Sequence, residues 1–146
     1  MKRQLLLLII TFIFFGCKKS EMKKETANHR KSASEYSPIG FIQELKKEHD
    51  LNVFSTEDDL SKNWIKRTDL DSLISLVDSN ESCSCYLNPL SSYIPKDSAE
   101  VGGFAIEFLK AYKENRKVNL GLYSCPKVDK KEAVELKDWF KNYNNN

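Results

Sequence analysis

A small, mostly α-helical single domain is the fold class this sequence predicts, with about five helices, two irregular loops and room for one short β-hairpin. Three observations predict it. The chain has 146 residues, and domains run to roughly 100–200 residues. Apolar residues recur at helical spacing in five separate stretches. Turn residues and cysteines collect between them, in residues 79–97 and 116–128. A composition of 40% apolar and 30% charged residues is that of a folding chain. Five Gly and four Pro exclude a collagen-like or low-complexity protein.

The first helix opens at Ser37-Pro38, an N-cap followed by Pro at the first helical position. Phe41, Ile42, Leu45 and His49 then share a face. Ser55 or Thr56 can cap a second helix, with Glu57, Asp58 and Asp59 in its first turn and Leu60 and Trp64 as its i, i+4 pair. Thr68 is the expected cap of the third, in which Leu70, Leu73, Ile74 and Val77 fall at i, i+3, i+4 and i+7. The fourth follows Pro95, where Asp97-Ser98-Ala99-Glu100 reads as a capping box. It continues through Val101, Phe104, Ala105, Phe108 and Tyr112. Gly102-Gly103 is unfavourable inside a helix by about 1 kcal/mol per residue against Ala. Either the helix starts after it or another backbone packs closely there. The fifth begins at Asp129, with Glu132 three residues on, and presents Ala133, Leu136, Phe140 and Tyr143; Asn142 to Asn146 is expected to fray. Val118, Leu120 and Leu122 alternate as in one short strand, with Cys85 to Leu87 as its candidate partner.

The N-terminus reads as an address. Met1-Lys2-Arg3 is basic, and Leu5 to Phe15 is an apolar run of 11 residues broken only by Thr11. A spanning helix needs about 20 apolar residues, so the run has the dimensions of a secretion signal. Phe14-Phe15-Gly16-Cys17 resembles the lipobox of bacterial lipoproteins. Gly16 and Cys17 match its last two positions, while Phe14 and Phe15 stand where Leu and a small or β-branched residue are usual. The resemblance implies that residues 1–16 are a signal peptide and that Cys17 is acylated after cleavage. It also implies a cell-envelope location, lipid-anchored, with the outer membrane expected. In composition and layout the chain is similar to small lipoproteins common in Bacteroidota.

Charge follows the same division. Residues 1–16 contain Lys2 and Arg3 and no acid, so the remainder carries 21 basic and 21 acidic residues. Residues 18–35 hold six basic and three acidic residues and almost nothing apolar, which marks 17–35 as a flexible basic stalk. Residues 36–146, the expected globular domain, carry 15 basic and 18 acidic residues. That balance excludes the basic face of a nucleic-acid binder. The expected partners are the membrane, through the lipid, and an envelope protein or ligand.

No motif specifies a reaction. Gly-x-Ser-x-Gly, His-Glu-x-x-His and a phosphate-binding glycine loop are all missing from the sequence. Ser124-Cys125-Pro126-Lys127 is formally Ser-x-x-Lys, but Ser20-Glu21-Met22-Lys23 matches equally well. With Cys17 committed to lipid, Cys83, Cys85 and Cys125 are the disulfide candidates in an oxidising compartment. A Cys-x-Cys ring is strained, so Cys125 is expected to pair with Cys83 or Cys85, leaving one thiol over. A reactive thiol and a metal site using His49 or an acid are the alternatives. No cofactor, metal ligand set or catalytic residue is assigned. Tyr86, Tyr93 and Tyr123 lie in the irregular stretches and are the binding candidates, since Tyr offers large contact area at low entropy cost. The expected function is a non-enzymatic binding module, of which an immunity-type protein is a specific version. The alternative is an envelope thiol enzyme or redox protein using the three cysteines.

Overall fold

The computed structural model of the protein describes residues 32–47, 60–88, 90–93 and 96–145. Four α-helices lie among them: α1 (Pro38–Leu45), α2 (Leu70–Leu76), α3 (Val101–Lys113) and α4 (Lys130–Asn144). Short 3-10 turns at Ala33–Glu35 and Arg67–Asp69 precede the first two. Four two-residue strands form two antiparallel pairs: β1 (Ser82–Cys83) with β3 (Ala99–Glu100), and β2 (Tyr86–Leu87) with β4 (Tyr123–Ser124). The fold is thus helical with two small strand pairs, and among the described residues it has four α-helices where five were expected.

Two helices start where the local chemistry places them. The Ser37 hydroxyl accepts from the Gly40 N–H at 3.1 Å, and Asp129 accepts from the Lys131 and Glu132 N–H groups at 2.8 and 3.1 Å. Each satisfies donors that the first helical turn leaves over. Phe41, Ile42 and Leu45 on α1, and Ala133 and Leu136 on α4, are buried as their spacing requires. His49 lies outside the described residues.

Elsewhere long-range partners override local signals. Leu60 and Trp64 are both buried but lie on irregular backbone, not on a helix; the Trp64 indole N–H donates to the Tyr36 carbonyl at 2.8 Å. The proposed cap and first turn of that helix, residues 55–59, lie outside the described residues. Thr68 is exposed and caps nothing. The Asp69 carboxylate instead accepts from the Lys66 N–H at 2.8 Å and closes the turn ahead of α2. Leu70, Leu73 and Val77 are buried as expected, and Ile74 is half-buried. The Asn-rich end does not fray at Asn142: α4 runs to Asn144, whose side-chain oxygen accepts from Arg67 at 3.1 Å. Ala33, assigned above to the stalk, is 1% exposed and belongs to the core.

α3 is the axis of the domain. Nine of its thirteen residues are buried, and α1, α2 and α4 all pack on it. A helix buried on almost every side reads as apolar throughout. Phe104 and Phe108 meet Phe41 edge-on with ring centroids 6.0 and 5.7 Å apart, and Trp64 meets Phe108 at 5.1 Å. These are the edge-to-face separations that aromatic quadrupoles favour.

The expected capping box at 97–100 does not form. Ala99–Glu100 is strand β3, and α3 begins at Val101 with no side-chain cap. Backbone from the segment between α2 and β1 replaces the cap. The Val101 and Gly102 N–H groups donate to the carbonyls of Glu81 and Ser79, both at 2.9 Å. Gly102-Gly103 is the close approach that the sequence left open. A Cβ at Gly102 would lie 2.8 Å from the Val77 carbonyl oxygen, and one at Gly103 would lie 2.6 Å from the Pro126 carbonyl. Both glycines are there because other backbone occupies the space.

Candidate functional site

The segment over Gly103 belongs to a strap, residues 123–128, that crosses the start of α3. Three kinds of contact hold it. Its first two residues pair with β2 in the register Tyr86↔Ser124 and Leu87↔Tyr123. The Glu100 N–H donates to the Pro126 carbonyl at 2.9 Å, and the Glu100 carboxylate accepts from the Val128 N–H at 2.8 Å. Between them a disulfide joins Cys85 to Cys125, with Cα atoms 4.5 Å apart and a sequence separation of 40. The strand partner of Cys85 to Leu87 is thus Tyr123–Ser124 and not the Val118–Leu122 alternation. Val118 and Leu120 do point inward, but Gly121 takes φ +61° and breaks the pattern, leaving Leu122 exposed.

Cys83 is the leftover thiol. It lies on β1 opposite Ala99 and is buried. Burial pushes its thiol up to about 11, the Glu81 carboxylate adds to the rise, and Lys127 opposes it. At neutral pH only about one molecule in ten thousand would carry a thiolate there. Such a group is a poor nucleophile. Cys83 is therefore expected to resist iodoacetamide in the folded protein and to react on denaturation; rapid labelling of the native state would show the thiol to be accessible. The same shift fixes a pH dependence. With an ordinary value of 9.0 against about 11 in the fold, the unfolded chain loses this proton first as pH rises. The contribution to stability is complete below about pH 9 and gone above about pH 11.

The three candidate tyrosines divide. Tyr86 is 4% exposed and packs against Phe41 with ring centroids 6.1 Å apart, so most of its side chain belongs to the core, while it also lines a groove with Ala33, Asn88 and Gly121. Tyr93 and Tyr123 come together edge-on, with centroids 4.8 Å apart, and Tyr93 is half exposed. The Tyr123 hydroxyl points to the bridge, 3.7 Å from the Cys85 sulfur. Partial burial raises its pKa, with Tyr93 and Asp97 adding to the effect, so it stays a neutral donor. Two exposed leucines lie on the segments next to this pair, and neither was among the binding candidates read from the sequence. Leu122 follows the left-handed Gly121, and Leu90 follows the Asn88 turn, in which its N–H is held by the Asn88 side chain at 2.9 Å. An isolated exposed leucine carries no sequence signal, so only the fold reveals their proximity.

Other polar groups near the strap are tied into structure. Lys127 pairs with Glu100 at 3.6 Å, so the formal Ser-x-x-Lys pattern does not make a Ser124–Lys127 couple. Among the described residues no group of three or more His, Cys, Asp or Glu side chains is placed to hold a metal ion. Nor is any helix among them long and apolar enough to cross a membrane. At the far end of α3, Tyr112, Trp139 and Tyr143 form a second aromatic group. The Tyr112 and Tyr143 hydroxyls are 3.0 Å apart, and the Arg67 guanidinium lies 4.5 Å above the Tyr143 ring. Those contacts close the α3–α4 seam and account for the cluster as structure.

Compared with known proteins, the chain matches no family model, no curated protein and no solved structure.

Proposed function

We propose that the protein is a lipid-anchored lipoprotein of the bacterial cell envelope that binds a partner without catalysing a reaction. The observation that carries the anchoring is the leader itself: a basic start, an 11-residue apolar run and Gly16-Cys17 directly after it. Cys17 and the rest of the leader lie outside the described residues. One acyl chain holds a protein only marginally, whereas two or more anchor it stably. The multiple acylation of the lipoprotein family would therefore make the attachment permanent.

Two features support binding over thiol chemistry. Cys85 and Cys125 are joined to each other, and Cys83 is buried with its thiol held protonated. Three of the four large exposed apolar side chains, Leu90, Tyr93 and Leu122, stand on neighbouring segments next to the β2–β4 pair and the Cys85–Cys125 bridge. A preformed surface loses little freedom on binding.

Cys17→Ala tests the anchor. Labelled fatty acid is expected to be incorporated into the wild-type chain and not into the variant, and the variant is expected to leave the membrane fraction. Undiminished labelling of Cys17→Ala would overturn the reading.

A further inference from the structure

We infer that the partner of the face formed by Leu90, Tyr93 and Leu122 is the lipid surface to which the chain is tethered, an inference that rests on the anchoring proposed above. Four large apolar side chains are exposed among the described residues, and three of them are Leu90 (74%), Leu122 (55%) and Tyr93 (50%). The segments that carry them are neighbours. The Asn88 N–H donates to the Leu122 carbonyl at 3.1 Å, the Asn88 side chain accepts from the Leu90 N–H, and Tyr93 packs on Tyr123 next to Leu122. Singly scattered apolar residues are ordinary on a surface, but a cluster marks a contact.

The position of the cluster selects the contact. The chain enters the described domain at Ser32, and Ala33 lines a groove with Asn88, Lys117 and Gly121. Leu122 is the next residue along that wall. The tether therefore arrives beside the apolar face. Only 14 residues, 18–31, separate Cys17 from Ser32, a reach of at most about 50 Å. They carry six basic and two acidic side chains, which anionic head groups attract. Tyrosine rings sit well at head-group depth, and leucines at loop tips enter the acyl boundary as the apolar face of an interfacial helix does. A protein partner would place no such demand on where the tether enters.

The test uses the full lipidated chain in vesicles of phosphatidylglycerol and phosphatidylcholine, with or without bromine on the upper acyl carbons. Tryptophan is introduced by Leu122→Trp, by Leu90→Trp, or by Val134→Trp on α4, all at exposed positions that do not disturb the core. Trp64 and Trp139 give the same background in each. Brominated lipid is expected to quench the added emission of Leu122→Trp and Leu90→Trp and to spare Val134→Trp. Vesicle-bound protein with the three variants equally unquenched would overturn the inference and leave the anchor standing. Protein that fails to remain with the vesicles would overturn the anchor, and this inference with it.

Discussion

Replacing Cys125 by Ser is expected to lower the stability of the domain by about 4 kcal/mol, the chain-entropy value for a loop of this size. The bridge from Cys85 to Cys125, at a sequence separation of 40, closes a loop that includes the whole of α3. Opening it restores that freedom to the unfolded chain. It also releases the strap from one of its three attachments. A domain of this size is held by roughly 5–15 kcal/mol in total, so the loss should appear as a large drop in the denaturant midpoint. Cys125 is half-buried whereas Cys85 is buried, so Cys125→Ser isolates the bridge better than Cys85→Ser, which also buries a hydroxyl. Reduction of the wild-type protein should reproduce most of the change. A midpoint unaffected by both treatments would mean that the bridge does not constrain the fold.

Gly103→Ala is expected to cost about 3 kcal/mol, at the upper end of the usual range for overpacking. In an exposed helix the same change would stabilise by about 1 kcal/mol, so even the sign of the effect reports on the packing. The added methyl would meet the Pro126 carbonyl carbon and oxygen at 2.6 Å and the Lys127 nitrogen at 2.9 Å. These are backbone atoms and cannot swing aside as the tip of a side chain can. Gly102→Ala should be comparably damaging, because the Val128 Cγ2 methyl of the strap lies at 2.6 Å and the Val77 and Leu76 carbonyl oxygens at 2.8 and 2.9 Å. The two effects differ in one respect. The strap over Gly103 can lift once the disulfide is gone, so Gly103→Ala should cost less in a Cys125→Ser background; at Gly102 only the Val128 methyl would be relieved, while the Leu76 and Val77 carbonyls would stay in place. A thermodynamic cycle over these variants measures the coupling. A neutral Gly103→Ala would show that the strap does not cross α3 at that point.

Both predictions concern places where the sequence posed a question without answering it. Cys83 and Cys85 are nearly equivalent as partners for Cys125 along the chain. What separates them is strand pairing: β2 and β4 bring Cys85 beside Cys125, while β1 turns Cys83 inward against Ala99. Gly102-Gly103 admitted either a late helix start or a close backbone approach. The choice depended on Val77 and Pro126, each more than twenty residues away. The candidate site followed the same rule. Three loop tyrosines looked alike, yet Tyr86 packs on Phe41 while Tyr93 stays exposed.

What the sequence by itself determined was local in origin. Apolar spacing of three and four residues defined the buried faces of α1, α2 and α4 and most of α3. Side-chain caps at Ser37 and Asp129 set where two helices begin, since each bonds a backbone N–H within three residues. Tertiary structure alone decided the rest. It turned Leu60–Trp64 away from helix, because burial of both side chains and the Trp64–Tyr36 hydrogen bond are satisfied by irregular backbone. It took Glu100 from a capping box to bind Val128, and gave the first N–H groups of α3 to Glu81 and Ser79. It also brought together the segments that carry Leu90, Tyr93 and Leu122. The physical reason is shared: a cap or a helical face is completed by neighbours a turn away, whereas a strand register, a close backbone crossing or a surface cluster exists only once distant segments have met.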